Sequence, residues 1–223
     1  MRKATKNKKG NAIGFGYFEL DELITRILCD TAPRHKVDAA YLFSETVDNE
    51  ASVLKAAVFL YGLGPVNKLA VAHLGRKFGY PGFRSWVKKL VAMGVPQKDV
   101  RLIPLAKDFP PSTDAEALGL VRYAKAKGWK SIYVVAPPLH QLRAFITTVS
   151  HAMKEKSDVK VYSFPGIPQS WEEHVVHSQG IQKGTRSELL AKELEKIERY
   201  YREGDLVSGE EVLGYLNKRD KES

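Results

Sequence analysis

The residues of this sequence best suited to chemistry lie around one short segment, VVAPPLHQLRA at 134–144. Pro138 suits the first position of a helix, where its missing N–H costs nothing. His140 and Arg143 are three residues apart and therefore share one face of the first helical turn. A helix N-terminus attracts an anion, the Arg143 guanidinium binds phosphate or carboxylate through two hydrogen bonds, and His140 can act as acid or base near neutral pH. The segment therefore predicts a site that binds an anion and transfers a proton.

The competing interpretation of this pair is structural. Arg143 then pairs with an acid of the scaffold, and His140 is a solvated residue that caps the helix. The place of the pair in the predicted fold favours the functional interpretation.

That fold is indicated by an alternation of short apolar runs with helical patterns between residues 37 and 166. The apolar runs lie at 39–43, 69–72, 100–105, 132–136 and 159–164, and the helical patterns at about 49–62, 83–94, 113–127 and 138–153. Every connection is long enough for a helix, so we expect parallel strands. The run at 159–164 alternates and contains Lys160, which is typical of an edge strand. The sequence predicts an α/β fold: a Rossmann-like open three-layer sandwich with a mostly parallel five-stranded sheet.

Three units follow from this pattern. Residues 1–14 are predicted to form a basic disordered tail. Residues 15–166 form the Rossmann-like domain, which includes an amphipathic N-terminal helix over 18–31. Residues 167–223 form a helical extension packed on the domain: a long loop to 184 precedes two helices, which begin at the capping boxes Thr185/Glu188 and Ser208/Glu211.

In an open parallel sheet, ligands bind outside the carboxyl ends of the strands. The turn after the first strand carries Ser44, Glu45 and Asp48, which we expect to contact a ligand hydroxyl or ribose, although Asp48 can instead cap the next helix. The turn after the third strand ends in Thr113 and Glu116. These two residues are spaced as a capping box, and a capped terminus can still face a ligand.

The turn after the second strand carries His73 and Arg76 among glycines, a composition that can cradle phosphate. The first turn contains no glycine, so the G-x-G-x-x-G dinucleotide fingerprint is absent. The G-x-x-x-x-G-K-[ST] loop of P-loop nucleotidases is absent as well.

The net charge of +9, from 35 Lys+Arg and 26 Asp+Glu, is unevenly distributed. Residues 1–10 contain basic residues and no acid, and residues 67–101 contain eight basic residues against one acid. Two basic segments of this kind can attract an anionic ligand or a nucleic acid.

The number of cysteines, the spacing of histidines and the length of apolar runs exclude other classes of protein and site. The sequence has one cysteine, which rules out a disulfide framework and a multi-cysteine zinc site. His174 and His177 follow two glutamates on what we predict as a helical turn, but H-E-x-x-H is absent, and we expect no metal there. No apolar run approaches the roughly 20 residues of a membrane helix, so we expect a cytoplasmic protein without a membrane partner.

The segment 134–144, with His140 followed three residues later by Arg143-Ala144, resembles the signature of the YdcF/SanA/ElyC-like family, in its soluble YdcF type. Asp38 before the first strand, Gly94-Val95-Pro96, and the turn bearing Thr113 and Glu116 follow in the family's order. The resemblance covers about residues 37–165. It implies a Rossmann-like sandwich with a pocket at these turns and permits a nucleoside-type ligand such as S-adenosylmethionine as cofactor or substrate.

The sequence departs from this family at two turns. Ser44 and Glu45 stand where the family has glycines, and Ala72-His73-Leu74-Gly75 replaces a Ser-Gly-Gly element. Both turns lie where a ligand would bind, so the identity of the ligand does not carry over.

Two hypotheses result. In the first, a small anionic or nucleotide-like molecule binds at the carboxyl edge of the sheet, held by Arg143, with His140 and Glu116 as the catalytic candidates of a transferase or hydrolase. In the second, a non-catalytic module docks RNA or an acidic partner through residues 1–10 and 67–101, although no aromatic-rich RNA motif accompanies them. The residues alone do not decide between an enzyme and a binding protein.

Overall fold

The structure is a computed structural model that describes residues 17–106, 110–177 and 181–222. The predicted basic tail at 1–14 lies outside the described residues. The strands are β1 (Ala39–Leu42), β2 (Leu69–Ala72), β3 (Val100–Ile103), β4 (Ser131–Val135), β5 (Lys160–Ser163), β6 (His174–His177) and β7 (Gln182–Thr185). The helices are α1 (Tyr17–Leu28), α2 (Glu50–Leu63), α3 (Phe83–Ala92), α4 (Thr113–Lys127), α5 (Pro138–Lys154), α6 (Arg186–Arg202) and α7 (Gly209–Lys221).

The first five strands form one parallel sheet in the order β3-β2-β1-β4-β5. The chain leaves β1 toward β2 on one side and later returns to place β4 on the other, with Leu42 beside Val135 at the last paired position. The strand order thus reverses between β1 and β4, and an open α/β sheet leaves a crevice at that point. The predicted Rossmann-like sandwich is confirmed.

Alternation along β1 shows how the sheet separates two cores. Tyr41 and Phe43 pack in one apolar cluster with residues of α1, α4, α5, α6 and α7. Ala40 and Leu42 point the other way and pack with residues of α2 and α3. Because both faces of β1 are covered, its sequence is continuously apolar, as expected for a buried parallel strand.

The outer edge of β5 is covered by side chains of the C-terminal extension and of the residues after α1. The Tyr215 hydroxyl accepts from the Val161 N–H at 2.7 Å, and Arg219 donates to the Val161 carbonyl at 2.8 Å. Asp30 accepts from the Ser163 N–H at 2.8 Å. These bonds satisfy backbone groups that an edge strand would otherwise expose to another chain. The extension therefore packs on the domain.

The interpretation of residues 167–184 as a loop with a helical turn is wrong over its second half. Residues 174–177 and 182–185 form the antiparallel hairpin β6–β7. Its strands have only four residues each, and QKGT has no apolar residue, so no alternation marks it. The hairpin is tied to the turn after β1, because Asp48 accepts from the Val176 N–H at 2.7 Å and Thr46 donates to the Val176 carbonyl at 2.6 Å.

Two of the three capping boxes are confirmed, at Thr185 and Ser208. The third is wrong: Ser112 caps α4 by accepting from the Ala115 N–H, and Thr113 is the first helical residue. Gly119 lets α4 lie against the segment after β3, since a Cβ there would stand 2.3 Å from the Pro104 carbonyl oxygen. Among the described helices, none combines the length and apolarity that crossing a bilayer requires.

The buried ion pair on the β5 edge gives a stability prediction. Arg219 and Asp30 are 1% and 3% exposed, and the guanidinium also lies 4.5 Å from the Tyr162 ring centroid. Replacing Asp30 by Ala removes the buried carboxylate and leaves Arg219 paired with the more exposed Asp220, so we expect a loss of about 3 kcal/mol in the free energy of unfolding. Urea denaturation measures it.

The matched control is Arg202→Ala, which breaks an exposed pair with Glu198 within α6. It should cost less than about 1 kcal/mol. Equal losses for the two variants would contradict the role assigned to the β5 edge.

Candidate functional site

A cavity of about 250 Å³ opens at the carboxyl edge of the sheet, where the strand order reverses. The turns after β1 and β4, the start of α4, the hairpin β6–β7 and α6 contribute its walls. Six of the nine site residues predicted from the sequence line it: Ser44, Glu45, Thr113, Glu116, His140 and Arg143.

A chain of hydrogen bonds joins four of these residues. His140 Nδ1 lies 2.5 Å from Glu45 Oε1, and its Nε2 lies 3.2 Å from Thr113 Oγ1. Arg143 Nη1 donates to the same Thr113 oxygen at 2.6 Å. Ionised Glu45 can only accept, so the proton of the neutral His140 ring is on Nδ1. Nε2 is then an acceptor, and the Thr113 hydroxyl donates to it while its oxygen accepts from Arg143. This tautomer follows from the hydrogen-bond network.

A second carboxylate, Glu193 on α6, binds the cations of the site. Arg143 Nε donates to Glu193 Oε2 at 2.5 Å, and Lys196 Nζ donates to Oε1 at 2.5 Å. His177 Nε2, on β6, lies 3.1 Å from Oε1. The C-terminal extension therefore supplies part of the site. Arg143 thus pairs with an acid of the scaffold, Glu193, as the structural interpretation expects. His140, however, is buried and is not a solvated residue that caps the helix.

The two histidines have opposite pKa shifts. Burial and the nearby Arg143 lower the pKa of His140, against the pull of Glu45. Burial also acts to lower the pKa of His177, but its hydrogen bond to Glu193 and its proximity to Glu45 raise it overall. His140 is therefore favoured as a neutral base and His177 as a cation.

The carboxylates respond to these cations. Burial alone would raise the pKa of Glu45, but His140 and His177 lower it to about 2. Burial likewise acts to raise the pKa of Glu193, but Arg143 and His177 hold it well below its ordinary value. Both carboxylates are therefore ionised at neutral pH.

Glu116 differs from both. Its Oε2 accepts from the Tyr41 hydroxyl at 2.8 Å and from the Ser44 N–H at 3.1 Å. Burial nevertheless raises the pKa of Glu116 to about 7. A carboxyl with this pKa can give or take a proton at neutral pH. The predicted capping bond of Glu116 is replaced by these contacts with β1 and its turn.

Three predicted site residues lie outside the cavity lining. Asp48 binds the backbone of β6. His73 is exposed and packs edge-on against Phe83 at 4.8 Å between ring centroids, and Arg76 is exposed. Lys77, in the turn after β2, is charged and lines the cavity.

The basic residues of segment 67–101 lie in different surroundings. Lys68 pairs with Asp99 at 2.5 Å, and Lys89 pairs with Glu50. Lys77 faces the cavity instead. Part of the charge of this segment thus lies in ion pairs or at the site, and another part, including Lys88 and Lys98, is exposed to solvent.

Sequence reasoning missed three site residues: His177, Glu193 and Lys196. Glu193 and Lys196 sit in a charged helix whose pattern is that of a solvated face, and His177 was assigned to a helical turn. Among residues 17–106, 110–177 and 181–222, no group of three or more His, Cys, Asp or Glu side chains is arranged to hold a metal ion.

The sequence matches no model of a known protein family and no curated protein. Among solved structures, a pantothenate synthetase from Thermus thermophilus aligns with a TM-score of 0.41 and 10% identity, over 72% of this chain and 64% of that one. This chain thus spans less than two thirds of it. A second, named pantoate-beta-alanine (pantothenate synthetase) from the same organism, aligns with a TM-score of 0.42 and 12% identity, over 87% and 80%. Similarity at this level carries no information about a ligand or a reaction.

The raised pKa of His177 gives a prediction about stability and pH. A raised folded-state pKa contributes stability that is complete below the unfolded value, about 6.5, and lost as pH rises through the folded value. The native protein should therefore lose this contribution on the alkaline side of about pH 6.5. His177→Asn should be less stable than the native protein at about pH 6, and the difference should shrink as the pH rises.

Urea denaturation at a series of pH values measures both curves. Two curves that run parallel across this range would contradict the assignment. A titration of the His177 ring by NMR checks the direction of the shift independently.

Proposed function

We propose that the protein is a hydrolase or transferase that binds a small anionic molecule in this cavity and uses His140 as general acid and base. The observation that carries the proposal is the bonded chain Glu45–His140–Thr113, which ends at a hydroxyl on the cavity wall. A buried carboxylate that orients a histidine toward a hydroxyl is the arrangement that nucleophilic and general-base catalysis requires.

The protonation states suit this role. The lowered pKa of His140 keeps its Nε2 free to accept a proton at neutral pH. Glu45 is ionised, so it stabilises the imidazolium that forms when His140 takes that proton. The pair therefore favours a proton transfer from a hydroxyl or water at the cavity.

The charge of the cavity favours an anionic ligand. Lys77, Arg143, Lys196 and Arg199 line it together with the ionised Glu45, and the ionised Glu193 lies against Arg143 and Lys196. The cations outnumber the ionised carboxylates, and burial raises the pKa of Glu116 to about 7, which reduces its negative charge. A net positive, partly enclosed cavity attracts anions.

Two hydroxyls point to a polar ligand. Ser44 Oγ and the Tyr80 hydroxyl are buried and lie close to each other, and neither makes a hydrogen bond of full geometry within the described residues. Both residues line the cavity. Buried polar groups are nearly always paired in native proteins, so a ligand or water is the expected partner.

The resemblance of residues 134–144 to YdcF-type proteins is part of this proposal. In it, His140 and Arg143 are the site residues, and a nucleoside-type ligand that carries a phosphate, as in AMP, or a carboxylate, as in S-adenosylmethionine, is one class to be tested. S-adenosylmethionine and AMP are therefore included among the probes below.

Lys77 tests the ligand class without disturbing the buried network, because it is exposed at the cavity wall. We expect Lys77→Ala to weaken anion binding about threefold to tenfold, the equivalent of about 1 kcal/mol. Isothermal titration calorimetry with succinate, inorganic phosphate, AMP and S-adenosylmethionine measures it.

The matched control is Lys88→Ala, an exposed lysine on α3 that does not line the cavity. It should leave binding unchanged. No binding of any of these anions, or equal affinity in the native protein and both variants, would contradict the proposed ligand class.

A further inference from the structure

Thr113 differs from the other threonines of the site in what its hydroxyl contacts. Thr46 donates to a backbone carbonyl, which is a structural bond. The Thr113 oxygen instead accepts from Arg143 at 2.6 Å and lies 3.2 Å from His140 Nε2. His140 can take the proton of this hydroxyl, and Arg143 donates to its oxygen, so both contacts stabilise the alkoxide form of Thr113.

The position of Thr113 in the fold also supplies hydrogen-bond donors for a reacting group. Thr113 is the first residue of α4, and Ser112 takes up the Ala115 N–H. The first N–H groups of a helix, here those of Thr113 and Asp114, have no acceptor within the helix. An oxyanion that forms beside the Thr113 oxygen lies next to these amides and to the positive end of the helix dipole.

Among the described residues, His140 is the proton carrier in contact with Thr113 Oγ1, and its position discriminates between two reaction classes. In acyl transfer, nucleophile and leaving group are attached to one tetrahedral carbon, so one imidazole reaches both. In phosphoryl transfer, the attacking and leaving oxygens lie in line on opposite sides of phosphorus. A base that touches the nucleophile is then far from the leaving oxygen. The contact of His140 with Thr113 therefore favours acyl transfer.

We propose that Thr113 is a covalent nucleophile, and that the substrate is a carboxylic ester or thioester whose acyl part carries an anionic group. This rests on the proposed function, which it deepens by naming the nucleophile and the bond that is cleaved. The anionic group is held by the lysines and arginines of the cavity, and the carbonyl lies at the start of α4.

The first half-reaction forms a bond between Thr113 Oγ1 and the carbonyl carbon, and the Thr113 proton passes to His140 Nε2. The bond from that carbon to the leaving oxygen or sulfur breaks, and the leaving atom keeps the electron pair and takes the proton from His140. In the second half, water gives its proton to His140 and bonds to the carbon. The carbon–Oγ1 bond then breaks, and Thr113 recovers the proton. The net change is ester plus water to acid plus alcohol or thiol.

The test uses the full chain and mono-4-nitrophenyl succinate, an activated ester with an anionic acyl group. A sample without protein corrects for the nitrophenolate that the ester's own carboxylate releases as it forms succinic anhydride. We expect a burst of one nitrophenolate per chain. After acid quenching, intact-mass analysis and peptide mapping should show one succinyl group on Thr113. 4-Nitrophenyl acetate, which lacks the carboxylate, should react at least about tenfold more slowly, which corresponds to one good charge contact.

The variants separate the nucleophile from the fold and from ligand binding. Thr113→Val should abolish burst and adduct while it binds succinate within about twofold of the native affinity, well under 1 kcal/mol. Thr113→Ser should retain both. His140→Asn should slow the burst by about 10² or more. Thr148→Val is the matched control, because the Thr148 hydroxyl donates only to the Ala144 carbonyl within α5, and it should behave as the native protein does.

Other outcomes overturn the inference in distinguishable ways. Nitrophenolate release that survives Thr113→Val shows that His140 acts on water directly, so the proposed function stands and the nucleophile is wrong. An adduct on another residue, or no burst with intact succinate binding, also refutes the nucleophile alone. A phosphoryl group transferred to Thr113 from 4-nitrophenyl phosphate refutes the acyl assignment. Absence of both binding and release refutes the proposed function itself.

Discussion

Two carboxylates buried at the edge of the sheet constrain the rest of the site. Glu45 and Glu193 are 4% and 1% exposed, and an isolated ionised carboxylate cannot be buried without a large cost. Each must therefore be surrounded by cations and donors: His140 and His177 for Glu45, and Arg143, His177 and Lys196 for Glu193. His177 belongs to both sets, so its removal reduces the compensation of both buried charges.

This requirement explains why the hairpin β6–β7 and α6 are part of the site. The parallel sheet and its four crossover helices already form a complete sandwich, yet Arg143 on α5 would have no carboxylate partner in it. The hairpin β6–β7 brings His177 to Glu45, and α6 brings Glu193 to Arg143. Asp48 and Thr46 hold the hairpin to the turn after β1. The extension is thus bound by the charges of the site as well as by apolar contact.

Much of this could be predicted from the sequence, for reasons that particular residues make clear. The five sheet strands and their helices are visible because buried parallel strands leave continuous apolar runs. Glu45, Thr113 and His140 each follow a strand, so the rule for open sheets brings them to one edge. The strand order is not visible, because similar helices connect every pair of strands.

The site residues that were missed and the capping box that was wrong also have specific causes. Glu193 and Lys196 look like solvated helix residues, since burial of a charge depends on partners distant in sequence. Thr113 and Glu116 have the spacing of a capping box, but Ser112 caps the helix one residue earlier. Its hydroxyl accepts from the Ala115 N–H, its carbonyl accepts from the Glu116 N–H, and Tyr41 binds the glutamate. The boxes at Thr185 and Ser208 form because no buried donor competes for their glutamates, whose bonds are exposed to solvent.

The two histidines show how one carboxylate can serve both stability and chemistry. Glu45 presents Oε1 to His140 Nδ1 at 2.5 Å and Oε2 to His177 Nδ1 at 3.6 Å. His177 also contacts Glu193, which favours its charged form, whereas His140 lies near Arg143, which favours its neutral form. Environments that drive two similar groups apart in pKa assign them different roles. His177 keeps Glu45 ionised, and an ionised Glu45 makes the neutral His140 a stronger base toward Thr113. The positive charge that stabilises Glu45 is therefore carried by His177, and the proton that reacts is carried by His140.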